Sequence, residues 1–323
     1  MKQSTKRLVI GFASATFATL ACAQDFPNRP LRIILAYAPG SSADILPRAV
    51  AHAMSLNLGQ PVVIDNRPGA GGVTAMQELI KSPPDGYTLI NIDPSQWAVF
   101  PAQRPGVYDP QKDMTPVSLI YTGSLFVLVQ DSFPAKNLQQ FVAVVKANPG
   151  KFSYGSSGIG TAHHLSMESF KAALGVDIVH VPYKGSNQSS VALLGDQISM
   201  MVGGLSYVKG ALKGRLRLIA ATTAQRSRFA PDVASLAEAL PGVTDFDFRA
   251  DQGLFAPAGT PKAIIDKLAA AVQRALQNPD VVQRIEAAGL EPLSSTPEQL
   301  ADLVRADIVR YAKAVKISGA RLD

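Results

Sequence analysis

The sequence predicts an α/β protein of two lobes with a ligand cleft between them, and three observations predict it. Strand-length apolar runs alternate twice along the chain with stretches of helical period. Each series carries a Gly/Ser-rich loop between its leading strand and the helix that follows. The length, 323 residues with 47% apolar and 17% charged, suffices for about two packed domains and excludes disorder, collagen and coiled coil.

The first 23 residues stand apart from this pattern. Lys2, Lys6 and Arg7 precede an uncharged run from Leu8 to Leu20, and Ala21-Cys22-Ala23 puts small residues where a signal peptidase cuts. The run is short of the ~20 apolar residues that span hydrocarbon. A lipoprotein signal with Cys22 lipidated would normally have Leu where Thr19 stands. Cleavage after Ala23 implies export to the periplasm, lowers the net charge from +6 to +3, and removes the only cysteine, so no disulfide, thiol nucleophile or cysteine metal site is expected. No Lys/Arg stripe is present to neutralise a row of phosphates, which excludes nucleic acid as a partner.

In the first series, strands over Leu31 to Tyr37, Pro61 to Ile64 and Tyr87 to Ile92 enclose helices over Ala43 to Leu58 and Val73 to Lys81. This βαβαβ order implies a parallel sheet with ligands beyond the carboxyl ends of its strands. Pro47 is comfortable only in a first turn, so its helix should start no earlier than about Ser42 to Asp44. After a turn-rich stretch from Pro94 to Pro116, the second series reads helix Leu138 to Ala147, strand Phe152 to Tyr154, helix Ala162 to Leu174 and strand Ile178 to Val181. A helix near Ser189 to Leu194, strand Gln197 to Val202, a helix around Tyr207 to Leu212 and strand Leu216 to Ala220 follow. The C-terminus turns helical: Thr260-Pro261 and Thr296-Pro297 each place a cap residue before a proline, Thr296 to Gln299 fits a capping box, and Leu300, Val304, Ile308, Tyr311 and Val315 keep one stripe.

Both loops offer the same chemistry. Free N–H groups and the positive dipole end at a helix start bind anions without a basic side chain. In the first loop, Tyr37, Pro39, Gly40, Ser41 and Ser42 are candidate ligand contacts, and Asp44 reads equally as a cap or a contact. In the second, Ser156, Ser157, Thr161, Ala162 and His163 are candidates, with Gly155, Gly158 and Gly160 permitting close backbone approach. Gln96, Gly203 and Asp251 complete the candidate set. His163 and His164 are adjacent and cannot form an i, i+4 metal pair, so neither a metal nor a cofactor is expected. Gly69-Ala70-Gly71 and Gly158-Ile159-Gly160 both fail to complete a dinucleotide fingerprint, no phosphate loop with Gly-Lys-Ser/Thr occurs, and Ile159 stands where a nucleophile elbow needs Gly.

Several segments resemble the tripartite tricarboxylate transporter receptor family, also called Bug proteins. They are Phe26-Pro27-Asn28-Arg29-Pro30, Tyr37-Ala38-Pro39-Gly40 with Ala43-Asp44, Asn66-Arg67-Pro68-Gly69-Ala70-Gly71-Gly72, Pro84-Asp85-Gly86-Tyr87, Tyr154-Gly155-Ser156-Ser157-Gly158, Val181-Pro182-Tyr183-Lys184-Gly185 and Phe255-Ala256-Pro257-Ala258-Gly259-Thr260-Pro261. The resemblance implies a periplasmic binding protein of the two-domain type with two crossovers (type II). Its lobes would be residues 24–123 with 250–323, and 124–249. It further implies a monomer without catalysis that grips a small organic carboxylate by the loops Pro39 to Asp44 and Ser156 to His163 and hands it to membrane permease subunits. A secreted hydrolase or transferase, or a sensor-linked receptor, is the alternative. Three positions depart from the family: Ser41 replaces a frequent Gly, Gly203 a frequent Asp, and Asp251-Gln252 a Trp-Tyr pair. Loss of an acid at Gly203 argues against an amine-bearing ligand, whereas Asp251 in the cleft would argue for one.

Overall fold

A computed structural model describes residues 26–40, 42–208, 213–239 and 246–320. The predicted signal peptide with Cys22, Ser41, and residues 209–212 of the helix expected around Tyr207 to Leu212 lie outside the described residues.

In chain order the strands are β1 (Leu31–Leu35), β2 (Val62–Asn66), β3 (Thr88–Ile92), β4 (Met114–Thr122), β5 (Phe126–Gln130), β6 (Ser153–Ser156), β7 (Val179–Pro182), β8 (Met200–Gly203), β9 (Leu216–Ala221), β10 (Gln252–Pro257) and β11 (Glu291–Pro292). The longer helices are α1 (Ser42–Leu58), α2 (Val73–Ile80), α3 (Leu138–Lys146), α4 (Ala162–Leu174), α5 (Ser186–Leu194), α6 (Lys262–Ala275), α7 (Pro279–Ala287) and α8 (Pro297–Ser318). Two sheets form, ordered β11-β4-β10-β3-β1-β2 and β7-β6-β8-β5-β9.

The parallel pairing expected of the first series is found, and three strands outside that series run the other way, β5, β10 and the short β11, which is antiparallel to β4. β1 pairs in parallel with β2 and β3, but β10 lies antiparallel to both β3 and β4. Likewise β6, β7 and β8 run parallel, while β5 is antiparallel to β8 and β9. Connectivity supplies the reason: β5 and β10 are the strands that have just crossed from the other sheet. A chain arriving through the hinge enters at the carboxyl edge of the parallel strands and must run backwards along them. Both crossovers, and both Gly/Ser loops, therefore share one edge of each sheet.

Packing follows from the apolar stripes. On one face of the first sheet, Leu46, Val50 and Met54 of α1 meet Ile265, Leu268 and Val272 of α6 and Ile285 of α7. On the other, Met76 and Leu79 of α2, Trp97, and Leu300, Val304 and Tyr311 of α8 are buried. α8 begins with the predicted capping box, Thr296 accepting from the Gln299 amide and Gln299 from the Thr296 amide. Thr260, in contrast, caps nothing: its hydroxyl donates to the Pro257 carbonyl at 2.7 Å, and α6 starts after Pro261 without a side-chain cap. α8 also packs on α4 of the other sheet. A run of aromatic rings joins the two halves, from Phe141 to Phe170 (5.8 Å), Phe246 (6.5 Å), Phe248 (5.1 Å) and Tyr311 (5.3 Å).

The hinge is hydrogen-bonded throughout. Ala250 donates to the Gly123 carbonyl (2.9 Å), Thr222 to that of Leu125 (2.9 Å), and Phe248 to that of Thr222 (2.7 Å). Beside these bonds Asp251, 3% exposed, accepts from the Thr122 hydroxyl. Burial, aided by the neighbouring Asp307, pushes its carboxyl up to about 7 against the Thr122 bond. Between the ordinary carboxylate range and that value the native state holds a proton that the unfolded chain has lost, so Asp251 weakens the fold as pH rises through 7. Asp251→Asn, which keeps an acceptor for Thr122, is expected to exceed the wild type in stability at pH 8 by more than ~1 kcal/mol and to match it only at about pH 4, where the unfolded wild-type chain holds the proton as well. Urea denaturation at the two pH values measures this; a gain independent of pH would contradict the assignment.

Candidate functional site

The first loop leaves β1 at Leu35 and turns at Gly40, whose φ of 84° lies in the left-handed region that glycine tolerates. Its N–H donates to Asp44 Oδ2 at 2.9 Å. Asp44 is buried in the first turn of α1 and also accepts from Arg48 Nε (2.9 and 3.0 Å) and Asn66 Nδ2 (2.8 Å). Burial opposes its charge, but the bonds from Arg48, Asn66 and Gly40 prevail and hold the carboxyl below its usual value. Asn66, at the end of β2, donates to the Tyr37 carbonyl as well (3.0 Å). Asp44 thus braces the loop from inside the first turn of α1 and ties it to the neighbouring strand.

Around the ends of β1, β3 and β10 lies a buried polar group of side chains. Tyr37 donates its hydroxyl to Gln96 Oε1 (2.9 Å), which also accepts the Asp93 amide (3.2 Å). Burial and the nearby Asp93 raise the Tyr37 phenol well above its ordinary value, and burial likewise raises Asp93. Gln96 lies against Gly72, where a Cβ would come within 2.6 Å of its Cγ. Gln252 accepts the Tyr121 hydroxyl at 2.5 Å, and its Nε2 is a buried donor without a hydrogen-bond acceptor. The sequence marked Gln252 only as a departure from a resemblance; its neighbours in the fold make it a candidate contact.

The second loop follows β6. Ser156 Oγ is 3.1 Å from both the N–H and the carbonyl of Gly158 and 2.7 Å from His180 Nε2. Ser157 Oγ pairs with His163 Nδ1 (2.8 Å), and burial lowers His163 to about 4, so it is neutral near pH 7. Thr161 is the N-cap of α4, accepting from His164 N (3.4 Å) and donating to the Gly158 carbonyl (2.8 Å). The Gly160 N–H donates to His164 Nδ1 at 3.0 Å. Several loop amides are thus held internally. Those of Ala162 and His163, at the first two helical positions, have no intrahelical acceptor and face the loop side.

Two candidates lie at strand ends beside the loops, Gly203 level with the start of the second loop. Gly203, at the end of β8, packs against Tyr207 and Met201, each about 3.0 Å from where a Cβ would stand, so the Tyr207 ring fills the room an acid there would need. Asp251 sits in the hinge beside Thr122, not among the loop residues. Of the other first-loop candidates, Pro39 directly precedes Gly40, Ser42 is the first residue of α1, and Ser41 lies outside the described residues. Sequence reasoning missed Gln103, whose side-chain amide reaches from the first half of the chain to the second loop: a Cβ on Gly160 would collide with it.

Comparison with known proteins decides the family. The description of the tripartite tricarboxylate transporter family receptors matches residues 46–319. The chain belongs to that family. It is 33% identical to the protein BugT of Bordetella pertussis over 97% of both chains. A Rhodopseudomonas palustris protein solved with adipate is 32% identical, with a TM-score of 0.78 over 92% of this chain and all of that one. MatC of the same organism, solved with bound malate, is 33% identical, with a TM-score of 0.74 over 90% of this chain and all of that one. The fold is accordingly the two-lobed periplasmic binding protein type.

At Gly160, φ is 75° and the Gln103 side chain abuts the position of a Cβ. Gly160→Ala is expected to push the second loop away from Gln103 and to lower ligand affinity by about tenfold or more, since both backbone strain and the collision oppose the present loop conformation. Pairing it with Gln103→Ala should recover part of the loss; calorimetric titration of both variants tests the contact.

Proposed function

We propose that this chain is a periplasmic solute-binding receptor that closes two lobes over a small organic carboxylate and passes it, chemically unchanged, to the membrane subunits of a tripartite transporter. The single observation that carries the reading is the pair of uncommitted amides at Ala162 and His163, at the start of a helix whose loop is braced so that they stay presented. Two relatives that share the fold over nine-tenths of the chain were solved with dicarboxylic acids, which supports the same class of ligand. In this reading the lobes are residues 24–123 with 250–323, and 124–249, and the mature monomer begins after Ala23.

Grip by backbone amides suits an anion that must be released again. A desolvated Arg–carboxylate pair would be strong and slow to part, whereas N–H groups and a helix dipole each contribute about a kcal/mol. The second loop contributes no cation, because its histidine is neutral.

A thermal-shift series of the mature protein against adipate, malate, citrate, amino acids, aromatic acids and neutral sugars tests the ligand class. An acid at ~100 times its dissociation constant adds about 2.7 kcal/mol of stability, whereas a response to sugars alone would exclude the reading. The bound acid recovered unchanged separates a receptor from an enzyme, and co-purification with permease subunits from membranes separates a transport receptor from a sensor.

Ala162→Pro probes the amide directly. Thr161 is extended (φ −73°, ψ 161°), as the residue before a proline should be, and the first helical position tolerates proline. Affinity should drop about tenfold or more while the unfolding midpoint stays within ~0.5 kcal/mol of wild type. Undiminished affinity would show that the Ala162 N–H does not touch the ligand.

A further inference from the structure

Behind the second loop lie two imidazoles, one buried and one half-buried, that the proposed binding reaction does not use. His164, in the first turn of α4, and His180, on β7, stack with ring centroids 4.1 Å apart and an interplanar angle of 17°. On its other side His180 stacks on Tyr154 of β6 (4.7 Å). Each imidazole reaches forward to one point of the loop: His164 Nδ1 to the Gly160 N–H at 3.0 Å, and His180 Nε2 to Ser156 Oγ at 2.7 Å.

Hydrogen-bond inventory fixes the protons. A backbone N–H only donates, so His164 Nδ1 must present a lone pair and its proton resides on Nε2. Ser156 has one hydroxyl proton and three neighbours. All are satisfied when Oγ accepts from the Gly158 N–H and from His180 Nε2–H and donates to the Gly158 carbonyl. Protonating His180 leaves its bond intact. Protonating His164 places an N–H against the N–H of Gly160 and abolishes that bond.

We propose that His164 and His180 are positioning residues of the second-lobe loop, His164 holding Gly160 through a lone pair that only the neutral imidazole has and His180 holding Ser156, so that proton uptake by His164 loosens the grip on the ligand. This rests on the carboxylate-receptor reading for the word ligand; the bracing of the loop does not. Other ionisable groups around the stack are paired: Glu168 of α4 takes the Tyr154 hydroxyl (2.6 Å) and Lys171 Nζ (2.8 Å), and His163 of the loop bonds Ser157. Burial lowers both imidazoles, with Glu168 opposing and Lys171 assisting, and His180 falls to about 4. The loop is therefore fully braced at neutral pH and released only in acid, and two cations at stacking distance would repel.

Three forms of the mature protein test this: wild type, His164→Phe, which keeps a stacking ring but offers no acceptor, and His164→Asn, whose amide oxygen stands near the position of Nδ1 and does not titrate. Amide hydrogen exchange at Gly160 is followed with core amides of β5 as reference, and adipate and malate affinities are measured by calorimetry at pH 7.5 and 5. His164→Phe should accelerate Gly160 exchange and weaken acid binding, each about fivefold or more, as the loss of one hydrogen bond implies, with β5 protection unchanged. His164→Asn should recover most of both losses and lose less affinity between pH 7.5 and 5 than the wild type, because any part due to protonation of the acid itself persists in both. Unchanged Gly160 exchange in His164→Phe, or core amides loosened equally in both variants, would overturn the positioning role. Should Gly160 respond as stated while neither acid binds the wild type, the positioning stands and the carboxylate reading fails.

Discussion

A helix leaves its first N–H groups without partners, and the arrangement of this protein depends on where those groups are directed. Any loop rich in Gly and Ser can curl back and satisfy them with its own carbonyls. Here the loop amides of Gly40, Gly158 and Gly160 are instead fixed to side chains: the Asp44 carboxylate, the Ser156 hydroxyl and the His164 imidazole. With the approach to each helix thus held, the two amides at the start of α4, which have no intrahelical acceptor, are left at the loop end of the helix. Every bracing group is itself buried and neutralised or paired, since an unpaired one would impose a desolvation penalty larger than the bond it makes.

The absence of formal charge from the second-loop bracing has a further effect. His163, His164 and His180 are each pushed toward the neutral form by burial. A cationic cluster there would favour polyanions by long-range attraction regardless of shape. Neutral donors discriminate instead through geometry, and in the proposed reading selectivity among acids falls to the polar side chains Tyr37, Gln96 and Gln252 around the ends of β1, β3 and β10.

Much of this was legible in the sequence. The helices read from Ala43, Val73, Leu138 and Ala162 appear within a residue of their expected bounds, α4 over Ala162 to Leu174 as read, because amphipathic period and caps are local properties, whereas α5 starts three residues before the expected Ser189. The Gly/Ser loops were legible because glycine and hydroxyl residues cluster before a helix. What escaped is non-local. Residues 117–130 form most of β4 and all of β5, yet they are apolar almost throughout and show no alternation, since both faces are covered. The antiparallel course of β5 and β10 depends on the hinge, which no local pattern encodes. His164 with His180, Gln103 with Gly160, and Tyr121 with Gln252 are partners far apart in sequence, and each residue alone reads as an ordinary core or surface position.

The aromatic run from Phe141 to Tyr311, with α8 lying across α4, sets the mechanics of the molecule. Such a seam of edge-to-face rings resists separation, because parting it would expose several aromatic surfaces to water at once. In the proposed receptor reading, lobe motion is a swing about this seam, where small angular changes give the widest displacements on the far side, so a solute of a few atoms has enough leverage to decide whether the lobes rest apart or together.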